Sequence, residues 1–336
     1  MSVLKEYSYG TAIRSAFAYL LNTYPEVVLM GQGLWSPWYV GNTMTDLDKE
    51  FGVSRVIDTP VSELGVTGAA VGAALSGLKP IVVHPRMDFM LYAMDPIVNE
   101  AAKWSHMTGG QVGCNVTIRA IINRGGEQGA QHSQALHAWF AHIPGLRVVM
   151  PSSVADARDL LIASVLSPDP VVYIDDRWLY ERTDSLPNIS EINLAEQGPK
   201  VIHEGCDVTI VGIGYSTYLC EQAMVDLVGH GISPELIDLR VINPIDAKLI
   251  IKSVNKTGRL CVVDGGWKAC GVAGEIIARV VEGIGVTTLK TPPIRIVLPD
   301  APAPCSKSLE SLYYPDKKEI VKKILACLFN KEGVIK

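Results

Sequence analysis

The sequence is poor in charge for its length, and nowhere does one sign gather. Of 336 residues, 19% are Asp, Glu, Lys or Arg, and the formal net charge is −5. The densest basic runs are Lys317-Lys318 and Lys322-Lys323. A phosphate-tracking surface for nucleic acid is therefore not expected. Long apolar runs are missing too, since none reaches the ~18 residues of a membrane span. The first seven residues, Met1 to Tyr7, hold no apolar core of a signal peptide. Paired cysteines are lacking. The seven, at Cys114, Cys206, Cys220, Cys261, Cys270, Cys305 and Cys327, are an odd number without a CxxC pair. They read as free, mostly buried thiols of a reducing cytoplasm.

What is present is apolar residue in short blocks, 48% of the chain, punctuated by 30 Gly and 20 Pro. That composition suits a chain with a sizeable core, and its length suits two domains. β-branched runs at 26–30, 80–83, 116–121, 147–150 and 170–174 alternate with helical patterns at 64–77, 88–106 and 156–166. From residue 176 the periodicity fades until about 205. It restarts with runs at 208–211, 234–238, 260–263 and 294–297, interleaved with helical patterns at 217–230, 246–254, 271–282 and 317–328. Buried strands separated by helices predict two α/β domains, each a mostly parallel sheet covered by helices. The domains are placed at 1–185 and 206–336, with a linker at 186–205.

The common nucleotide and hydrolase motifs are absent. There is no GxxxxGK[ST], no GxSxG and no HExxH. Gly212-Ile213-Gly214 follows a strand, but the third glycine of a dinucleotide fingerprint is missing, and a tight strand-to-helix turn explains it. Ligands on parallel sheets sit beyond the C-terminal strand ends, and three stretches there carry chemistry. In Asp58-Thr59-Pro60-Val61-Ser62-Glu63-Leu64-Gly65, Glu63 opens a Gly/Ala-rich helix. A capping role for Ser62 or Glu63 would suffice at a surface. This helix, however, is apolar on nearly every face and is expected to be buried, where a carboxylate needs a specific partner. In Gln131-His132-Ser133-Gln134, His132 follows a Gly-rich loop. The spacings of His106, His132, His137 and His142 do not make a metal-ligand set, because residues five apart on a helix do not share a face. His132 is the best catalytic candidate of the four. In Arg86-Met87-Asp88-Phe89, Phe89 serves either the core or as a stacking face for a flat ring.

Together with Val56-Ile57-Asp58-Thr59-Pro60-Val61-Ser62-Glu63, Ala138-Trp139, His142-Ile143-Pro144-Gly145-Leu146, Asn243-Pro244-Ile245-Asp246 and Val262-Val263-Asp264-Gly265-Gly266-Trp267, these stretches carry a resemblance over essentially the full length. The chain resembles the β subunits of the thiamine-diphosphate-dependent 2-oxo acid dehydrogenases (the E1 component, an oxidoreductase). The resemblance implies a pyrimidine-binding domain followed by a transketolase C-terminal-like domain. It assigns Glu63 to N1′ of the cofactor's aminopyrimidine, where a carboxyl favours the imino tautomer that deprotonates the thiazolium. It assigns Phe89 to the face of that ring, and His132 to the substrate. Members that hold the diphosphate carry Gly-Asp-Gly and bind Mg²⁺ through it. This chain has no Gly-Asp-Gly. A separate α chain is thus expected to hold the diphosphate and Mg²⁺ in an α₂β₂ heterotetramer, with a lipoyl acyltransferase core as a further partner.

Two departures stand out. Gln32 lies where a glutamate of the pyrimidine-side network is expected. His84, Arg86 and Arg124 make the neighbourhood more polar than in members acting on simple 2-oxo acids, which fits a polar or anionic substrate. Pairing of Arg86 with Asp88 or with the α chain explains the arginine equally well. A two-chain transketolase moving a two-carbon ketol unit between sugars therefore stays open, as does a non-catalytic partner that stabilises an α chain.

Overall fold

The computed structural model describes residues 6–36, 38–285 and 287–329. The chain forms two compact units, Met1–Arg124 with Gln134–Gln197, and Gly125–Ser133 with Gly198–Lys336. Both are α/β with mostly parallel strands, as the alternation of patterns predicts. No helix among the described residues is long and apolar enough to cross a membrane.

The strands of the first unit are β1 (Glu6–Ser8), β2 (Val27–Gln32), β3 (Val56–Thr59), β4 (Lys79–His84), β5 (Thr117–Ile122), β6 (Arg147–Val149), β7 (Val171–Asp176) and β8 (Thr183–Ser185). Strands β2 to β7 lie in the order β6-β7-β5-β4-β2-β3, every neighbouring pair parallel. The central β5 and β7 are buried at every position, which is why their sequences are near-continuous apolar runs. β1 and β8 form a small antiparallel pair.

The helices of this unit are α1 (Tyr9–Thr23), α2 (Leu47–Phe51), α3 (Glu63–Leu75), α4 (Ala102–Met107), α5 (His137–Ala141) and α6 (Val154–Leu166). Ser8 caps α1 by accepting the Thr11 N–H at 3.2 Å. Its buried stripe, Tyr9, Ile13, Ala16, Phe17 and Leu20, follows helical spacing, and α1 packs along α6.

α3 corrects one expectation. Thr67, Ala70, Val71 and Ala74 are buried and the helix packs on β4, but the opposite face is open. Leu64 is 53% exposed, and a Cβ added at Gly68 or Gly72 would meet nothing within 4 Å. The small residues on that side are not explained by packing within this chain. The helix expected over 88–106 is broken into a 3₁₀ turn at Phe89–Ala93, a π turn at Pro96–Ala101 and then α4. Pro96, which has no N–H to donate, stands at the break. Of the cysteines, only Cys114, Cys220 and Cys261 are buried, whereas Cys206, Cys270 and Cys305 are exposed.

The second unit contains β9 (Lys200–His203), β10 (Val208–Gly212), β11 (Pro234–Asp238), β12 (Val241–Asn243), β13 (Leu260–Trp267) and β14 (Ile294–Leu298). Its helices are α7 (Tyr215–Gly229), α8 (Lys248–Thr257), α9 (Val272–Gly283), α10 (Lys307–Tyr313) and α11 (Lys317–Leu328). Its sheet runs β14-β13-β10-β11-β9. It is parallel except for β9, which pairs antiparallel with β11 at the edge. Ile210, Leu227, Leu236, Val263, Ile296, Ile320 and Ile324 belong to its apolar core. A Cβ at Gly212 would come 2.5 Å from Thr217 Cα, so this glycine serves a close turn from β10 into α7. The aperiodic run before residue 206 includes β9, so the second unit takes in residues from 198 onward. The loop 125–133 also packs with this unit, although it follows β5 of the first.

Candidate functional site

In the first unit a cleft opens at the C-terminal ends of three adjacent strands, β4, β2 and β3. Gly31 and Gln32 reach it from β2, Thr59 and Pro60 from β3, and His84 and Arg86 from β4. Glu63, the first residue of α3, lines it from one side, and Phe89 from another. Three of the residues expected at a site, Gln32, Glu63 and Phe89, are thus brought to one cleft by strand order alone. The fourth, His132, lies in the 125–133 loop and is half-buried. Its N–H donates to the Gly129 carbonyl at 3.4 Å.

The local sequence explains the shape of the cleft. Gly31 pairs with Val83 across β2 and β4, and a Cβ there would lie 2.4 Å from the Val83 carbonyl oxygen. Only glycine lets the two backbones close at the cleft floor. Ser62 precedes α3 without making a side-chain cap bond. Glu63 is half-buried rather than buried, because the outer face of its helix is open.

Gln32, standing where a carboxylate was expected, donates through Nε2 to the Tyr39 hydroxyl. Tyr39 also lines the cleft. It was not singled out in the sequence, because it sits in an aperiodic loop. The polar residues of the neighbourhood separate into different roles. His84 is buried, its Nε2 lies 3.3 Å from Thr67 Oγ1, and burial pushes its imidazole down to about 4, so it is neutral at neutral pH. Arg124 is committed to Asp176, with Nε to Oδ2 at 2.9 Å and Nη2 to the same oxygen, and it lies 5.1 Å over the Trp178 ring. Arg86 stays at the cleft. Partial burial and, next, the charge of Arg177 press its guanidinium below its ordinary value, while Asp88 opposes the shift.

The turn that carries Phe89 is anchored from behind. Met87 N–H donates to the Ile121 carbonyl at 2.8 Å, and the buried Asp88 accepts from Gln134. Phe89 and the apolar Val66 and Val82 line the cleft together with the Glu63 carboxyl.

Comparison with known proteins bears on this geometry. Residues 5–182 match the family described as the transketolase pyrimidine binding domain, and residues 199–320 the transketolase C-terminal domain. The pyruvate dehydrogenase E1 component subunit beta of Rhizobium meliloti (strain 1021) is 36% identical over 318 residues, covering 95% of this chain and 69% of that protein. The mitochondrial pyruvate dehydrogenase E1 component subunit beta of Saccharomyces cerevisiae is 38% identical over 319 residues, covering 93% of this chain and 86% of that protein. Among solved structures, an inactive β4 tetramer of a split-gene transketolase superposes with a TM-score of 0.74. It is 20% identical, with 96% of this chain and 98% of that chain covered, and so bears on the fold alone.

Proposed function

This chain belongs to the family of E1 β subunits of the thiamine-diphosphate-dependent 2-oxo acid dehydrogenases, and on that premise we propose that, with an α subunit, it decarboxylates pyruvate or a related 2-oxo acid and passes the acyl group to a lipoyl carrier. The observation that carries the reading is the pairing of Glu63 with Phe89 in one cleft at the strand ends. The E1 β relatives favour it over the two-chain transketolase.

When bound, thiamine diphosphate would supply a carbon nucleophile and an electron sink for the pair left behind as CO₂ departs. This chain's residues hold its pyrimidine end. Phe89 would pack on the ring face, and the Glu63 carboxyl would be the hydrogen-bonding partner of a ring nitrogen. Gln32, an amide turned to Tyr39, offers no titratable proton to that network. His132 donates a hydrogen bond or proton to the substrate's 2-oxo oxygen as charge develops there.

The diphosphate and Mg²⁺ are assigned to the α chain, because this sequence has no Gly-Asp-Gly. The open apolar face of α3, where Leu64 is 53% exposed, together with Val61 just before the helix at 69%, supports a partner chain seated there. An α₂β₂ assembly and a lipoyl acyltransferase core complete the proposal.

The test is the co-purified α–β complex. It should decarboxylate 2-oxo acids and acylate a lipoyl domain, while ketol transfer between sugar phosphates stays at background. Glu63→Gln in an intact complex should lower kcat by about 10²-fold or more. A rate near wild type would remove Glu63 from the mechanism.

A further inference from the structure

We propose that the buried pair His84 and Thr67 positions Glu63. The pair fixes how α3 is set on the sheet, and through the helix it fixes where the Glu63 carboxyl stands in the cleft. This rests on the E1 reading above and adds two positioning residues to it.

The two residues differ from those around them. From Leu64 to Leu75, α3 is built of Leu, Val, Ala and Gly, and Thr67 is its one polar side chain. β4 is apolar from Pro80 to Val83 and ends on His84. Thr67 is fully buried, His84 is 3% exposed, and Thr67 Oγ1 lies 3.3 Å from His84 Nε2. A neutral imidazole has one N–H and one acceptor nitrogen, and a hydroxyl can serve either. The two therefore satisfy each other in a contact that Ala70, Val71 and Ala74 complete on the helix side.

The start of α3 has little else to fix it. Ser62 makes no side-chain cap bond, and the outer face of the helix is open. Between Glu63 and Ala70, Thr67 is the one buried residue. Contacts of small apolar groups are non-directional, so they resist a small rotation of the helix weakly. A hydrogen bond is directional, and a setting that breaks this one leaves a buried imidazole nitrogen unpaired. A buried polar pair thus selects one arrangement among several that bury the same apolar area. Residues four apart lie one above the other on a helix, so Thr67 stands one turn behind Glu63. At the other end of the bond, His84 directly follows Val83, which pairs with Gly31 at the cleft floor. The tie therefore runs from the floor of the cleft to the turn that carries its carboxyl.

The experiment uses the purified α–β complex, with pyruvate and other 2-oxo acids as substrates. Thr67→Val keeps the volume and removes the hydroxyl. It should lower kcat about tenfold with KM within about twofold, the carboxyl being misplaced rather than lost. Thr67→Ser should restore most of the rate. His84→Phe should lower kcat by a similar factor, and Thr67→Val/His84→Phe no further than either alone, since both remove the same bond. Val71→Ala, on the same buried face one turn on, is the control for stability. It should lower the urea midpoint at least as much as Thr67→Val does and leave kcat within about twofold. In the complex without thiamine diphosphate, Thr67→Val should speed amide exchange at Val66 and Thr67 about tenfold. A kcat unchanged in both Thr67→Val and His84→Phe overturns the inference. So do losses that multiply in the double variant, an equal loss of kcat in Val71→Ala, or unaltered exchange. A wild-type complex that decarboxylates no 2-oxo acid fails the E1 reading and the positioning role with it. An active complex indifferent to these substitutions fails the positioning role alone.

Discussion

Asp88 Oδ1 accepts two hydrogen bonds from a single residue, the Gln134 backbone N–H at 3.1 Å and its side-chain Nε2 at 3.0 Å. Asp88 stands one residue before Phe89, and Gln134 directly follows the 125–133 loop that carries His132. The carboxylate thus ties the turn holding Phe89 to the chain leaving the loop that carries His132. Because Asp88 is buried, water does not replace these bonds cheaply.

Asp88→Ala should therefore destabilise the protein by roughly 2–3 kcal/mol, two charge-assisted hydrogen bonds being lost. In the α–β complex it should lower kcat more than it raises KM. Urea denaturation and steady-state kinetics read both. A variant with unchanged midpoint and kcat would show the tie to be idle.

The fully buried Arg119 and Asp175 pair bidentately, Nε to Oδ1 at 2.9 Å and Nη2 to Oδ2 at 2.8 Å, with Thr43 and Tyr180 completing the arginine's bonds. Arg119→Met leaves a buried carboxylate and should lose about 3–5 kcal/mol. The double variant Arg119→Met/Asp175→Leu should lose less than Arg119→Met alone. Additive losses in a double-mutant cycle would contradict this.

His84 makes stability depend on pH on the acid side. Burial lowers its folded value from the ordinary 6.5 to about 4, so the unfolded chain takes up the proton first. Its contribution is fully present above pH 6.5 and is lost as pH falls towards 4. At 1.36 kcal/mol per unit the full loss is about 3 kcal/mol, most of it by pH 5. His84→Phe should flatten the fall in melting temperature between pH 6.5 and 4.5. An equally steep fall in both proteins would assign the effect to other groups.

In the second unit the 125–133 loop is held from both sides. Glu310 Oε2 accepts the Glu127 N–H at 3.0 Å, and Glu127 Oε1 accepts the Lys307 N–H that opens α10 at 3.2 Å. Glu127 adopts φ 61°, a left-handed conformation disfavoured for a non-glycine residue, so outside bonds are needed to hold it. Glu310→Ala should speed amide exchange at Glu127 by about ten- to a hundredfold, the equivalent of one buried hydrogen bond. It should also lower kcat if His132 acts from this loop. Unaltered exchange would show that the loop is held elsewhere.

Much of the architecture is legible in the chain because buried parallel strands declare themselves as apolar runs, as in Val171–Ile174, and helices by their spacing, as in Tyr9–Leu20. The motif residues Glu63 and Phe89 are legible because they follow strand ends. Several features are not. Pro96 breaks a helix whose apolar spacing continues through it. β9 is an edge strand with little apolar content. The open face of α3 looks like core in composition, since a face meant for another chain and a face meant for the interior use the same residues. Tyr39 and Arg177 carry no spacing signal, and only the fold brings Tyr39 to the cleft and Arg177 to the Tyr39 carbonyl.

The amino-acid sequence alone determined the fold class, the two α/β halves and the absence of a diphosphate motif, because those follow from local periodicity and residue identity. The surroundings and charge of the polar groups near the cleft were decided by tertiary structure. Arg124, His84 and Arg86 look alike along the chain. Folding gives the first a carboxylate, buries and neutralises the second, and sets the third near a second arginine from a strand end ninety residues on. Long-range pairing decides the charge of a site, and it is invisible to any window of sequence.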